Sequence, residues 1–326
     1  MRWIAKAAVQ KALSWCPGGE RVNYLLQHRL TRQYPRSDDQ FVHWTKLASQ
    51  HLDAFLKLGP RTPLPEVAFY EFGTGWDLII PLTYHGLGVT RQTVVDIDAH
   101  LRFDLVNDAL RRFTTLEAEI ERNTGRSLRR FSADPIRTIE ELRTRLGIAY
   151  LAPCDARDTG LPAESFDFVS STATLEHIPE ADVSRILSEC RRILRPGGLI
   201  SCRVDMVDHF SYFDPAISAY NFLKFSDPVW RLVNSPLNFT NRLRHSDYLR
   251  IIRAAGLEVL SDEAETPSAS DLAVLRGMTV GPRFRDAYSL EDLGVKRMST
   301  VVRKGGPVVG DAQRHQRAPS GERVVS

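Results

Sequence analysis

Cysteine is scarce in this chain of 326 residues: Cys16, Cys154, Cys190 and Cys202 are all there are, with no short spacing between any two. That excludes a Cys-x-x-Cys redox pair and a cysteine-based zinc module. It gives no disulfide framework either, so a reducing, cytoplasmic setting is expected. No uninterrupted apolar run nears the ~18 residues of a membrane span. The opening stretch begins with Arg2 but is interrupted by Lys6, Gln10 and Lys11, which does not read as a secretory leader. Net charge is also small, at +3, too little to argue for a nucleic-acid partner. The arginines at 111, 112, 122, 126, 129 and 130 form a local basic run that reads as a solvated helix face. A Gly-Lys-Ser/Thr phosphate loop is missing.

What is present is ordinary for a globular protein: 43% hydrophobic and 25% charged residues. The length suits one large domain with appendages. Residues 1–60 read as a helical segment. Within it, Phe41, Trp44, Leu47, Leu52, Phe55 and Leu56 recur near helical spacing, and Gly59-Pro60 ends the pattern. The first residues can form a short amphipathic helix, with Trp3, Ile4, Ala8 and Trp15 apolar. Such a helix docks onto the domain or lies on an anionic membrane surface.

Beyond a Pro-broken linker the texture changes. VAFYEFGTG, TVVDID, IAYLAPCDA, FDFVSST and GLISCRVDM are short runs rich in Val, Ile, Phe and Tyr, without clean alternation. Central parallel strands buried on both faces read this way. Helical stretches separate them, the clearest being DVSRILSECRRILRPGG, which Gly197-Gly198 should terminate. Strands alternating with helices imply βαβ units and a doubly wound α/β sheet over 61–304. Two insertions interrupt it. The stretch 110–146 reads as two extra charged helices, and 210–247 is rich in Phe, Tyr, Asn and Pro. RMSTVVRK reads as a last edge strand. From 305 to 326 the chain has little to bury and reads as a disordered tail.

Three features carry chemistry. Gly73 and Gly75 flank Thr74 at the end of the first strand, where glycines let backbone approach a ligand closely. The dinucleotide fingerprint needs a third glycine, but Leu78 stands there, which weakens a nicotinamide-cofactor reading. Asp96, with Ile97 beside it, ends the second strand, where a carboxylate accepts from ribose hydroxyls. Asp155 and Ala156 follow the third strand, beside the same crevice, where an adenine amine finds an acceptor.

In this order YEFGTGW, VVDID, the block from Cys154 to Pro179, ILRPGGLI and LRIIRAAGLEVL resemble the class I S-adenosylmethionine-dependent methyltransferases over residues 66–262. The resemblance implies a Rossmann-like, mostly parallel seven-stranded sheet and S-adenosyl-L-methionine as cofactor. It implies that Glu71 organises the glycine loop toward the cofactor's amino group, that Gly73 and Gly75 pass under the cofactor and that Asp96 binds ribose, with Thr74 and Ile97 also in the cofactor site. Asp155 and Ala156 fall at adenine, and Ser170, Ser171 and Thr172 near the methyl donor. One departure stands out: Asp77 occupies the position of a further family glycine.

For the acceptor the candidates are His177, in TLEHIP, and the Asp208-His209 pair after the fifth strand. Each can take a hydroxyl proton as methyl transfers. Some O-methyltransferases similar to this chain hold a metal with Glu-x-x-Glu-His. Here the first position is Ala173, leaving Glu176 and His177 alone, so no metal is expected. Aromatic residues of the second insertion, such as Phe210, Tyr212 and Trp230, are candidates to roof the acceptor pocket. The expected activity is methyl transfer to a small-molecule or glycan acceptor, with oxygen favoured. The alternatives are a nucleic-acid or protein methyltransferase, a non-catalytic cofactor-binding protein and a nicotinamide-dependent oxidoreductase.

Overall fold

The computed structural model describes residues 2–16 and 34–305. The tail expected beyond that, and residues 17–33 of the N-terminal segment, lie outside the described residues. Helix α1 (Arg2–Leu13) and helix α2 (Asp38–Leu58) precede the sheet. Helix α2 starts where the sequence signals it. Ser37 accepts from the Gln40 amide, and the Gln40 side chain accepts from the Ser37 amide, a reciprocal cap. Then follow β1 (Ala68–Phe72), α3 (Ile79–Gly86), β2 (Arg91–Val95), α4 (Phe103–Thr115), α5 (Glu117–Thr124), α6 (Ile139–Leu146), β3 (Ile148–Leu151) and β4 (Phe166–Thr172). The second half runs α7 (Glu180–Ile193), β5 (Leu194–Asp205), α8 (Asp227–Val233), α9 (His245–Ala254), β6 (Leu257–Ala264), α10 (Ala269–Arg276), α11 (Pro282–Arg285), α12 (Leu290–Gly294) and β7 (Arg297–Lys304).

The seven strands form one sheet in the order β3-β2-β1-β4-β5-β7-β6. Strands β1 to β5 pair parallel, and β7 pairs antiparallel with both β5 and β6. This is the doubly wound, mostly parallel sheet that the strand-helix rhythm implies. Alternate residues of each strand feed opposite faces. Phe69, Phe168, Leu199 and Val301 pack under α2 and α3, whereas Tyr70, Val169, Ile200 and Val302 pack under α7 and α9. Both faces are covered, so both sets are apolar and no alternation shows in the sequence.

Two local expectations need correction. RMSTVVRK is not an edge strand: β7 lies between β5 and β6, and β6 forms the edge. Strand order depends on where the returning chain docks, which a single apolar run does not encode. Helix α7 ends at Ile193, before the Gly197-Gly198 pair. The pairing with β4 resumes at Leu194, and the glycines sit in an irregularity between the Phe166 and Phe168 registers.

Helix α1 docks on the second insertion. Trp3 and Ala7 are buried in a cluster with Phe210, Tyr220, Phe222 and Trp230, while Ile4 and Trp15 stay exposed. The Trp3 amide donates to Asp214, and Lys11 Nζ donates to the carbonyls of Arg231 and Asn234. Half of the basic run is ion-paired, with Arg111 and Arg112 bound to Asp108, Arg112 also to Asp38, and Arg126 to Asp53. All four cysteines are free thiols. No described helix is long and apolar enough to cross a membrane.

One buried cation ties the insertion to the sheet. Arg244 is fully buried and donates to the carbonyls of Met206, Leu293 and Val295. Arg244→Met keeps the volume but deprives these carbonyls of their donor, at about 1–3 kcal/mol for each left unsatisfied. The expected loss of stability is about 2 kcal/mol or more by urea unfolding. An unchanged unfolding midpoint would show that Arg244 is a spectator.

Candidate functional site

The direction of strand order reverses between β1 and β4. Chains leaving the carboxyl ends of these two strands diverge, and a crevice opens between them. A cavity of about 550 Å³ fills that place. It is lined by Glu71, Gly73, Thr74, Gly75, Thr172, His177 and His209 among others.

The turn after β1 is shaped by its glycines. Gly73 and Gly75 have φ of +72° and +68°, where side chains are strained. A Cβ on Gly73 would stand 2.2 Å from Thr174, so Gly73 also lets the chain after β4 approach closely. A Cβ on Gly75 would meet nothing within 4 Å, because it would project into open space. Asp96 accepts the Gly75 amide at 3.2 Å, which fixes the end of β2 against the turn.

Glu71 is the anomaly of the site. It is 4% exposed, and its Oε2 has no hydrogen-bond partner. Burial raises its pKa well above the usual carboxylate range, and the Ser170 hydroxyl beside it offsets part of that rise. Thr74 Oγ1 is likewise buried without a partner. Two orphaned polar atoms on one wall fit a ligand that brings a positive charge and hydrogen bonds.

The expected residues divide into groups. Glu71, Gly73, Thr74, Gly75, Thr172, His177 and His209 all line the cavity. Asp96 adjoins it through Gly75, and Ile97, the next residue, is 58% exposed. Ser170 is fully buried under Glu71, in register with it. Asp155 is more loosely placed. Arg157 binds both its oxygens, and Asp182 shares Arg157. Asp208 stands apart from the cavity lining. Its Oδ1 accepts the Phe210 amide and its Oδ2 accepts from Asn221, so it caps the turn that follows it. Its carboxyl group, whose pKa burial raises to about 6, thus serves this turn rather than the cavity wall.

The two histidines do converge, with ring centroids 4.8 Å apart. His177 Nδ1 bonds the Phe239 carbonyl at 2.7 Å; as the carbonyl can only accept, this nitrogen carries the proton and Nε2 keeps its lone pair. Burial lowers the pKa of both imidazoles, that of His209 to about 3. Glu176, one residue before His177, is buried with its own pKa raised well above normal by desolvation.

Several lining residues escaped sequence reasoning. Tyr34, Arg36, Gln40 and Trp44 reach the cavity from the N-terminal segment, and Pro236, Leu237, Asn238 and Phe239 from the second insertion. The link is Asp77, the residue standing in place of a glycine. It accepts from Arg36 Nε at 2.9 Å, and the Arg36 guanidinium lies 4.4 Å from the Trp44 ring. The N-terminal segment is thereby strapped over the glycine turn. His51 gives no sequence signal either. Its ring nitrogens bond Ser201 and Thr172, joining α2 to the interior of β5 and the end of β4.

Residues 131–202 match the family model described as a methyltransferase domain. No curated relative matches by sequence. Among solved structures, the chain is similar to the CurJ carbon methyltransferase at 13% identity and a TM-score of 0.43, covering 80% of this chain but only 54% of that one. It thus spans about half the length of that relative. It is also similar to the geranyl diphosphate C-methyltransferase of Streptomyces coelicolor A3(2), with 13% identity, a TM-score of 0.45, and 79% and 76% of the two chains covered. A third is the [4+2]-cyclase SpnF, with 13% identity, a TM-score of 0.44, and 79% and 81% covered.

Glu71 makes a pH test of the empty site. Its raised pKa means that the folded chain holds the proton more tightly than the unfolded chain, whose ordinary value is 4.5. This contribution to stability is full below the unfolded value and is lost as pH rises toward the folded one. Glu71→Gln is neutral at every pH. Its thermal midpoint should therefore match wild type near pH 4 and exceed it progressively up to pH 8. A difference that does not vary with pH would refute the assignment.

Proposed function

We propose that this chain, of which residues 131–202 match a methyltransferase-domain model and whose sheet is doubly wound, transfers the methyl group of S-adenosyl-L-methionine to the oxygen of a small molecule or glycan. The observation that carries this reading is the pair of buried, unpartnered atoms, Glu71 Oε2 and Thr74 Oγ1, facing a cavity at the strand-order reversal. The cofactor's methionine end brings an ammonium group, which suits a buried carboxylate lacking a cation. The open space above Gly75 leaves room for the cofactor to pass over the turn.

Asp96 is in position to accept from the ribose hydroxyls. Ile97 offers exposed apolar surface that an adenine would cover. Asp155 is already paired with Arg157, so adenine recognition there falls to the backbone of Asp155 and Ala156. Thr172, held by His51, borders the donor end, and Ser170 lies beside Glu71 on the neighbouring strand.

The sulfonium supplies the electrophilic methyl, so the protein's main task is alignment of donor and acceptor. The second insertion and the strapped N-terminal segment wall the cavity, excluding water from that alignment. A space of about 550 Å³ shared with part of the cofactor favours a small acceptor over a polymer surface. His177 and His209 border the acceptor end as neutral imidazoles, each presenting a lone pair rather than a charge.

Calorimetry with S-adenosylhomocysteine tests the reading directly. Binding is expected, with none for a nicotinamide dinucleotide. Asp96→Ala loses two hydrogen bonds to a charged acceptor and should weaken affinity by about 2–4 kcal/mol. Asp155→Ala, whose carboxylate is already engaged, should cost less than about 1.4 kcal/mol, a factor of ten. Absence of binding, or an unchanged affinity in Asp96→Ala, would sink the assignment.

A further inference from the structure

Glu176, His177 and His209 each bring one donor atom into a group whose members all lie within 4.8 Å of one another. They come from two places. Glu176 and His177 sit on the short turn Leu175–His177 after β4, and His209 follows β5. The turn is held from outside. Asn241 Nδ2 donates to the carbonyls of Leu175 and Ile178, and the Asn241 amide donates to the Glu176 carbonyl. The donors are therefore on fixed backbone.

Two of them each hold one buried atom without a hydrogen-bond partner. Glu176 is 1% exposed; its Oε1 accepts the Asp205 amide at 3.3 Å, but Oε2 has no partner. His209 Nε2 is also buried without one. A buried carboxylate oxygen and a buried imidazole nitrogen left bare side by side are costly, unless something electropositive lies between them. His177 completes the set. Its Nδ1–H is committed to the Phe239 carbonyl, the outer bond that orients a metal-binding imidazole and aims Nε2. Asp205 Oδ2, 4.0 Å from His209 Nε2, stands close enough to attract a cation as well.

We propose that Glu176, His177 and His209 bind one divalent transition-series cation, and that this ion fixes the acceptor oxygen against the methyl donor. Two imidazoles with one carboxylate suit Zn²⁺, Co²⁺, Mn²⁺ or Fe²⁺ better than Mg²⁺, which prefers an all-oxygen shell. Donors ~2.1 Å from one ion stand about 3–4 Å apart, so the group must draw in by about an ångström on binding. Three protein donors leave positions open toward the cavity, which His177 and His209 line. A hydroxyl on the ion becomes more acidic and gives its proton to solvent. Its oxygen then takes the methyl carbon as the carbon–sulfur bond breaks, and the electron pair stays on sulfur. The class of acceptor is therefore a hydroxyl compound able to bind a cation. The use of the ion rests on the methyl-transfer reading; its binding does not.

The test uses the full chain, stripped with a chelator and titrated with Co²⁺ and Zn²⁺. One ion per chain is expected by calorimetry, with visible Co²⁺ absorption. Glu176→Gln and His209→Gln, each verified as folded by circular dichroism, should weaken binding at least tenfold. His245→Gln, at the surface pair with Asp262, should bind as wild type does. X-ray absorption of the zinc-loaded wild type should show two imidazoles, which tests the site even if the variants misfold. No stoichiometric binding, no imidazole scattering, or wild-type affinity in both folded site variants would overturn the proposal. Chelation should leave S-adenosylhomocysteine binding intact. A chain that binds the cation but not this ligand would instead refute the methyl-transfer reading alone.

Discussion

The molecule is organised by a constraint of chain direction. Parallel strands β1 and β4 lie side by side, and the connections leaving their carboxyl ends must turn to opposite sides of the sheet. No helix can close the gap between them, so backbone polar groups and the side chains at those ends face a cavity. The candidate residues that line the cavity take their places from that gap. Glu71 and the glycine turn end β1, Thr172 ends β4, and the Glu176-His177 turn follows directly.

Closing the gap falls to segments outside the alternating core. The N-terminal segment reaches over through Arg36 and Trp44, and Arg36 is held by Asp77 in the turn itself. The second insertion arrives from the opposite side, with Phe239 and Asn241 bound to the turn after β4. It is anchored in its turn by the buried Arg244 and by helix α1. The outer walls of the cavity are therefore supplied by parts of the chain that the core fold does not require.

The site is costly to hold empty. Glu71 and Glu176 are buried carboxyl groups with desolvation raising their pKa values, and each has an oxygen without a partner. A core selected for stability alone would replace them with apolar residues. Their presence, Glu71 in the cavity wall and Glu176 behind His177, is coherent if one faces the cofactor's cationic end and the other a metal cation. Stability and function are set against each other at these positions.

The sequence by itself determined the alternation of strands and helices, the doubly wound sheet, the glycine turn and the carboxylate ending β2. These follow from composition over short windows, because a strand buried on both faces and a turn with positive φ each constrain local residue type. Local spacing also gave Glu176 and His177, but without a third donor the pair carried no argument for a metal. Only the tertiary structure decided that His209 comes to meet them, that Asp77 pairs with Arg36, that Asp208 is a cap, and that β7 lies inside the sheet. Each of these is an encounter between segments far apart in the chain. Its outcome is set by packing and by which oxygen or nitrogen finds a partner, and no window of sequence contains both sides.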